Sequence, residues 1–289
     1  MQIKFNLVIL TIAIIIFPMM VKGQAKDLFT YSAVHKVEER DSYSIFYPKL
    51  EEEEYEGIIV LIHSIQASNP KVYGDFIKNV LRKNFIVIYP AYQAYVASSN
   101  TQDLTFIASS LEKAYEDIKK NYEKVFNLPV AFIGHSMGGV IAYELASGQV
   151  EIPKQPTCVI SLCPAEVRKH RIENINFKKL DSYDVYLIIE EEKDRNHKQG
   201  YGKDLLSGIS DAQRKRYILH TQDKKEVSKH MNFWSPNKDF DSGNNTFFTY
   251  FPNLIDQTND VDRDFYWIEI DYALQCAFSR QNCDKFREQ

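Results

Sequence analysis

The sequence predicts an α/β fold: a mostly parallel central sheet with helices on both faces and no large cap domain. Three observations lead there. The runs Gly57–Ile62 (GIIVLI), Cys158–Cys163 (CVISLC) and Val185–Ile189 (VYLII) are apolar along their whole length. That is the pattern of strands buried on both faces, as opposed to the in–out alternation of a half-exposed strand. Stretches with helical spacing lie between such runs, and strands alternating with helices are joined most simply as parallel neighbours. Between Pro164 and Asp184, finally, there is little room for a large inserted cap.

The elements follow in order. Lys4 precedes a greasy stretch from Leu7 to Phe17, then Pro18 and a small residue at Gly23. A basic start, a short apolar centre and a small residue predict a secretory signal peptide over 1–23, cleaved before Gln24. The apolar stretch falls short of the roughly 20 residues that a membrane-spanning helix needs. The expectation is therefore a secreted or periplasmic protein with no transmembrane segment after cleavage, and a single domain over 24–289; an uncleaved anchor is the weaker alternative. Tyr43–Tyr47 (YSIFY) reads as an early strand. Val72, Phe76, Val80 and Leu81 share one face of a helix, and Phe85–Tyr89 (FIVIY) is a strand stopped by Pro90. Leu104, Ile107, Ala108, Leu111, Tyr115, Ile118 and Tyr122 mark a long amphipathic helix capped by Thr101 or Asn100. Strand Val130–Ile133, a glycine turn and helix Val140–Ala146 come next. Tyr217–Leu219 is a last short strand, and a tryptophan-bearing helix spans roughly Phe265–Phe278.

Composition narrows the function classes. The chain has 289 residues, 44% hydrophobic and 26% charged, with a net charge of -4. Such a chain is long enough for a sizeable core, and without a Lys/Arg stripe it predicts no nucleic-acid partner. The run Glu51–Glu54 reads as a solvated turn. None of the Cys/His spacings resembles a zinc site. Cys158 and Cys163 read as buried thiols. Cys276 and Cys283 can bridge if the last helix ends near Ser279–Asn282; in one continuous helix they would lie about 10 Å apart and could not bond. Asn244-Asn245-Thr246 is a glycosylation acceptor in a eukaryotic host.

Residues 130–139 read VAFIGHSMGG, a polar His-Ser pair at the end of an apolar strand and ringed by glycines. A strand ending at Gly134 and a helix starting near Gly138 leave Ser136 on a turn so tight that its neighbours must be small. In an open parallel sheet, chemistry collects beyond the carboxyl ends of the strands, and Ser136 is at such an end. Gly134-His135-Ser136-Met137-Gly138-Gly139 resembles the nucleophile elbow of the α/β-hydrolase fold in its serine esterase and lipase form. The strand before it and the Ala/Leu helix after it supply the context that the motif requires. The alternative is a glycine-rich turn with an incidental serine.

A serine hydroxyl needs a base to take its proton and a third group to orient that base. The resemblance implies the chain order serine, acid, histidine. In LIIEEEKD (187–194), Asp194 matches the position of the family's acid, although Glu190, Glu191 or Glu192 could hold the role and all four could be a solvated loop. Three histidines follow the acid. His197 is too close along the chain, and His220 ends the last strand. His230, on the loop after that strand, lies where the family delivers its base. The resemblance also implies two oxyanion donors, the backbone N–H of Met137 and one from the loop after an earlier strand, by position that of Ile65. That loop reads HSIQAS (63–68), with Ser64 where the family has glycine, and His63 reads as a structural hydrogen-bonder.

Phe233, Trp234 and further aromatics between Asn232 and Asp264 form either a flap lining an apolar acyl pocket or a loop packed on the flank of the domain. Phe233 and Trp234 are the substrate-binding candidates. The activity implied is ester hydrolysis through an acyl-enzyme on a small-molecule, lipid or polymeric ester, without metal or organic cofactor. A peptidase, thioesterase or acyltransferase would use the same triad. A non-catalytic, hydrolase-like binding protein is the reading from another class.

Overall fold

A computed structural model describes residues 30–36, 42–49, 55–92, 100–166, 170–181, 184–194, 200–209, 212–221, 233–244, 258 and 262–286. The expected signal segment, 1–23, lies outside them.

The described strands form one eight-stranded sheet in the order β1-β2-β4-β3-β5-β6-β7-β8. They are β1 (Tyr31–Lys36), β2 (Ser42–Pro48), β3 (Gly57–Ile62), β4 (Phe85–Ala91), β5 (Val130–His135), β6 (Cys158–Leu162), β7 (Val185–Glu191) and β8 (Arg214–His220). β1 and β2 are antiparallel to their neighbours, and every pairing from β4 through β3, β5, β6 and β7 to β8 is parallel. Each run read from the sequence as a doubly buried strand is one. The two-residue repeat splits β3 between two cores: Ile58, Val60 and Ile62 face one, Ile59 and Leu61 the other.

Helices α1 (Gly74–Leu81) and α5 (Trp267–Ser279) cover one face. Helices α2 (Asn100–Lys119), α3 (Met137–Ala146) and α4 (Tyr201–Ser207) cover the other. Among the described residues between β6 and β7 only short 3-10 turns occur, at Ile172–Asn174 and Phe177–Lys179, so no large cap is present there. No helix among the described residues is long and apolar enough to cross a membrane.

The structure departs from the sequence reading in five places. β4 continues through Pro90, which pairs with Tyr43 of β2. The β3 side is paired only as far as Val60–Ile88, so Pro90 has a partner on one side only, where proline is tolerated. Val72 belongs to a 3-10 turn, Pro70–Tyr73, and α1 proper starts at Gly74. α3 begins at Met137, immediately after the serine. Edge strand β1 (YSAVHK) and short helix α4 have no apolar run to announce them.

α5 ends at Ser279, where Arg280 takes a left-handed conformation (φ 60°) and turns the chain back. Cys276 and Cys283 are thereby brought to a Cα–Cα distance of 4.7 Å and form a disulfide. Cys158 and Cys163 are buried free thiols. Closing so short a loop stabilises by about 2–3 kcal/mol on chain-entropy grounds. Cys276→Ala/Cys283→Ala is expected to lower the unfolding free energy by about that amount, read from the midpoint of a urea titration.

Candidate active site

Ser136 joins β5 to α3 with φ 57° and ψ -123°. A non-glycine residue held in such a region costs on the order of 1–3 kcal/mol, which the surroundings must offset. Two backbone bonds help to hold it: the Ser136 N–H donates to the Leu162 carbonyl (2.9 Å), and the Gly139 N–H donates to the Ser136 carbonyl (2.9 Å). The glycines are required by close approach. A Cβ on Gly134 would sit 2.1 Å from the Gly138 carbonyl oxygen, and one on Gly138 would sit 2.2 Å from the Ile62 carbonyl oxygen. α3 therefore presses its first turn onto β3 and β5, and its N-terminus, the positive end of the helix dipole, begins at the serine. Met137, the predicted oxyanion donor, is the first residue of α3.

The loop after β3 lies beside the elbow, because β3 pairs with β5 in parallel up to Ile62–Gly134. Ile65 is half-exposed there. The positive φ of this loop falls on Gln66 (58°), so residue 64 has no need of glycine. Ser64 is buried, and its N–H donates to the Tyr73 hydroxyl (3.1 Å). His63 is fully buried, with its Nδ1–H donating to the Ser64 carbonyl (2.7 Å) and its ring stacked on Tyr92 (4.1 Å between centroids). Burial pulls its pKa down to about 4, so the ring is neutral at pH 7, in keeping with a structural part.

At the ends of β7 and β8 the acidic run separates into distinct positions. Glu190 is buried, accepting from the Gly202 N–H (2.6 Å) and from the Tyr217 hydroxyl (2.6 Å). Glu191 is buried too, bonded to the Tyr266 hydroxyl and to His220 Nδ1 (3.0 Å). The His220 ring also stacks on Phe265 (4.1 Å). Asp194 follows the turn and is buried, its N–H donating to the Glu191 carbonyl. β8 is three strands from β5, about 14 Å at ordinary strand spacing, and the His220 ring within it is held by Glu191 and Phe265. His230 lies outside the described residues, as does His197.

Phe233 and Trp234 are placed differently from the substrate-lining role expected of them. Both are closed off from solvent in the core that includes α1 and α5, packed on Tyr73, Phe76, His135 and Tyr266. Large rings with a neighbouring apolar face available bury there, so for these two residues flank packing describes the structure.

One polar cluster was not foreseen. His170 is fully buried between two carboxylates, Nδ1 2.5 Å from Glu144 and Nε2 3.1 Å from Asp103. Asn100 and Asn174 both donate to the same Glu144 oxygen, at 2.7 and 2.9 Å. The residues come from α2, α3 and the β6–β7 connection, so the cluster ties that connection down on two helices. Glu144 was the visible signal, a charge inside the all-buried helix MGGVIAYEL. Burial alone would lower the His170 pKa, but the hydrogen bonds and charges of Asp103 and Glu144 outweigh it and the pKa is raised. A raised folded pKa gives stability that is fully present below the unfolded value of about 6.5 and is lost as pH climbs through the folded value. Urea midpoints measured from pH 6 to pH 9 should therefore fall more steeply for the wild type than for His170→Gln.

No family model matches the sequence, and no curated protein matches it. Solved structures do. Esterase B from Lactobacillus rhamnosis, bound to a tributyrin phosphonate inhibitor, superposes with a TM-score of 0.59 at 12% identity, covering 89% of each chain. An alpha/beta hydrolase enzyme from a Medee basin deep-sea metagenome library gives 0.55 at 12% identity, covering 86% of this chain and 98% of the other. Carboxyl esterase 2 from the fungus Tuber melanosporum gives 0.51 at 15% identity, over 68% and 78%. At these identities the likeness is one of architecture, and with its sheet order and its serine turn after β5, the chain has the α/β-hydrolase fold.

Proposed function

We propose that the protein is a secreted serine hydrolase that cleaves carboxylic esters through an acyl-enzyme on Ser136. The observation that carries this is the strained backbone of Ser136 between β5 and α3, at the carboxyl end of the parallel sheet. Strain at one residue, held by close glycine contacts, is characteristic of a site that must present a side chain in one direction. In this reading the Ser136 hydroxyl attacks the ester carbonyl while His230 accepts its proton and Asp194 orients the imidazole. The N–H groups of Met137 and Ile65 hold the oxyanion, the imidazolium returns its proton to the departing alcohol, and water then releases the acid.

Support for Asp194 is its buried place just past the tip of β7, where Glu192 is exposed and Glu190 is taken up by Gly202 and Tyr217; Glu191, which holds His220, is the alternative acid. Support for His230 over His220 comes from its place in the sequence after β8, whereas His220 lies within β8, three strands from β5. Esters are favoured because two of the three solved structures above are called esterases. Amide or thioester cleavage would use the same groups. Secretion is supported by the signal-like residues 1–23 and by a disulfide, which persists in oxidising compartments.

Initial rates on p-nitrophenyl esters of graded acyl length, with labelling by a fluorophosphonate probe, test the proposal. Ser136→Ala should abolish labelling and lower kcat by on the order of 10³-fold or more. His230→Gln should lose turnover to a similar extent, whereas His220→Gln should retain it. Turnover that survives the loss of the Ser136 oxygen would overturn the reading.

A further inference from the structure

Beyond the triad, one buried hydroxyl touches the parts that the proposed reaction needs in register. Tyr73 closes the 3-10 turn that leads into α1 and is fully buried. Its oxygen accepts from the Ser64 N–H (3.1 Å), its proton goes to Ser64 Oγ (3.1 Å), and it lies 3.0 Å from His135 Nδ1. A phenol has one proton to give and two lone pairs. In the arrangement with the phenol proton on Ser64 Oγ, His135 Nδ1–H is the donor to the Tyr73 oxygen. Ser64 immediately precedes Ile65, and His135 immediately precedes Ser136. We infer that Tyr73 is a positioning residue, its hydroxyl locking the loop that carries one oxyanion donor to the turn that carries the nucleophile.

The turn is itself held from a third direction. The Ser235 and Asn237 N–H groups donate to the carbonyls of Val72 (3.0 Å) and Lys71 (2.8 Å), and the Asp75 N–H donates to the Ser235 carbonyl (2.8 Å). Asn69 donates to Asp241 (2.7 Å), and Lys71 pairs with Asp241 (2.8 Å). Residues 235–241 begin five residues after His230 in the chain, so the scaffold that fixes Tyr73 lies shortly downstream of the proposed base in sequence. Ser64 thereby acquires a reason: its hydroxyl accepts the Tyr73 proton, a link between the two segments that glycine would remove. Burial raises the Tyr73 pKa to about 12, so the lock stays protonated across the range in which a histidine base works.

The inference rests on the Ser136 reading for its kinetic arm and stands apart from it in a spectroscopic arm. Tyr73→Phe keeps the ring and deletes the oxygen; Val80→Ala, a buried α1 truncation outside the lock, serves as the control for lost stability. Misplacing groups by about 1 Å can cost up to 10²-fold, so kcat on a short ester should fall ten- to a hundredfold in Tyr73→Phe, with KM little changed. Val80→Ala should keep its kcat. In ¹⁵N NMR of imidazole-labelled protein, His135 should show a protonated Nδ1 in the wild type and a changed signal in Tyr73→Phe. Ser64→Ala combined with Tyr73→Phe should cost less than the sum of the two single changes. A Tyr73→Phe enzyme with wild-type kcat, additive losses in the double variant, or a His135 signal indifferent to the substitution would overturn the lock. Should the wild type hydrolyse no ester, the Ser136 reading fails while the NMR arm still decides the lock.

Discussion

The close approach of α3 to the sheet is the constraint on which the rest depends. Gly138 lies so near the Ile62 carbonyl that one methyl group would force β3 and α3 apart. Because the helix cannot retreat, the chain must turn from β5 into α3 within a single residue, and Ser136 takes up the whole change of direction at φ 57°. The strain is local, but what offsets it is not. The Leu162 carbonyl of β6, the backbone of β3 and the first turn of α3 all hold that residue, and the full parallel pairing of β3, β5 and β6 holds them in turn.

Around this fixed turn, polar groups are sorted by partner. Glu190 and Glu191 enter the core from the end of β7, and each is matched by donors from α4, β8 or the segment before α5. A buried carboxylate without such partners would be costly or would take up a proton, so this pairing is what permits an acidic run at a strand end. Between α2 and α3, His170 meets the same requirement for two other buried carboxylates, Asp103 and Glu144. The Tyr73 hydroxyl meets it for Ser64 and His135. Each of these three groupings also joins segments distant in sequence, so satisfying them and aligning the loops are one physical event.

The doubly buried strands were legible because a strand covered on both faces has no polar alternation, and GIIVLI, CVISLC and VYLII can be little else in a chain of this length. The serine turn was legible because close packing admits only small residues, and GHSMGG records that steric demand directly. β1 was not, since an antiparallel edge strand needs only one buried face and YSAVHK offers half-exposed positions. The roles within EEEKD were not legible either. Four carboxylates in five residues look alike until Tyr217, Tyr266, His220 and the α4 N-terminus take up two of them.

What the sequence by itself determined about this protein is its architecture and the place of the tight serine turn, because hydrophobic periodicity and glycine spacing are local records of burial and contact. The tertiary structure alone decided which polar side chains are partners. Asp103, Glu144 and His170, or Ser64, Tyr73 and His135, are separated along the chain by turns and strands that carry no mark of their meeting. A hydrogen bond is made in space between groups that any solvated loop could carry, and only the packed sheet and its helices bring them within reach.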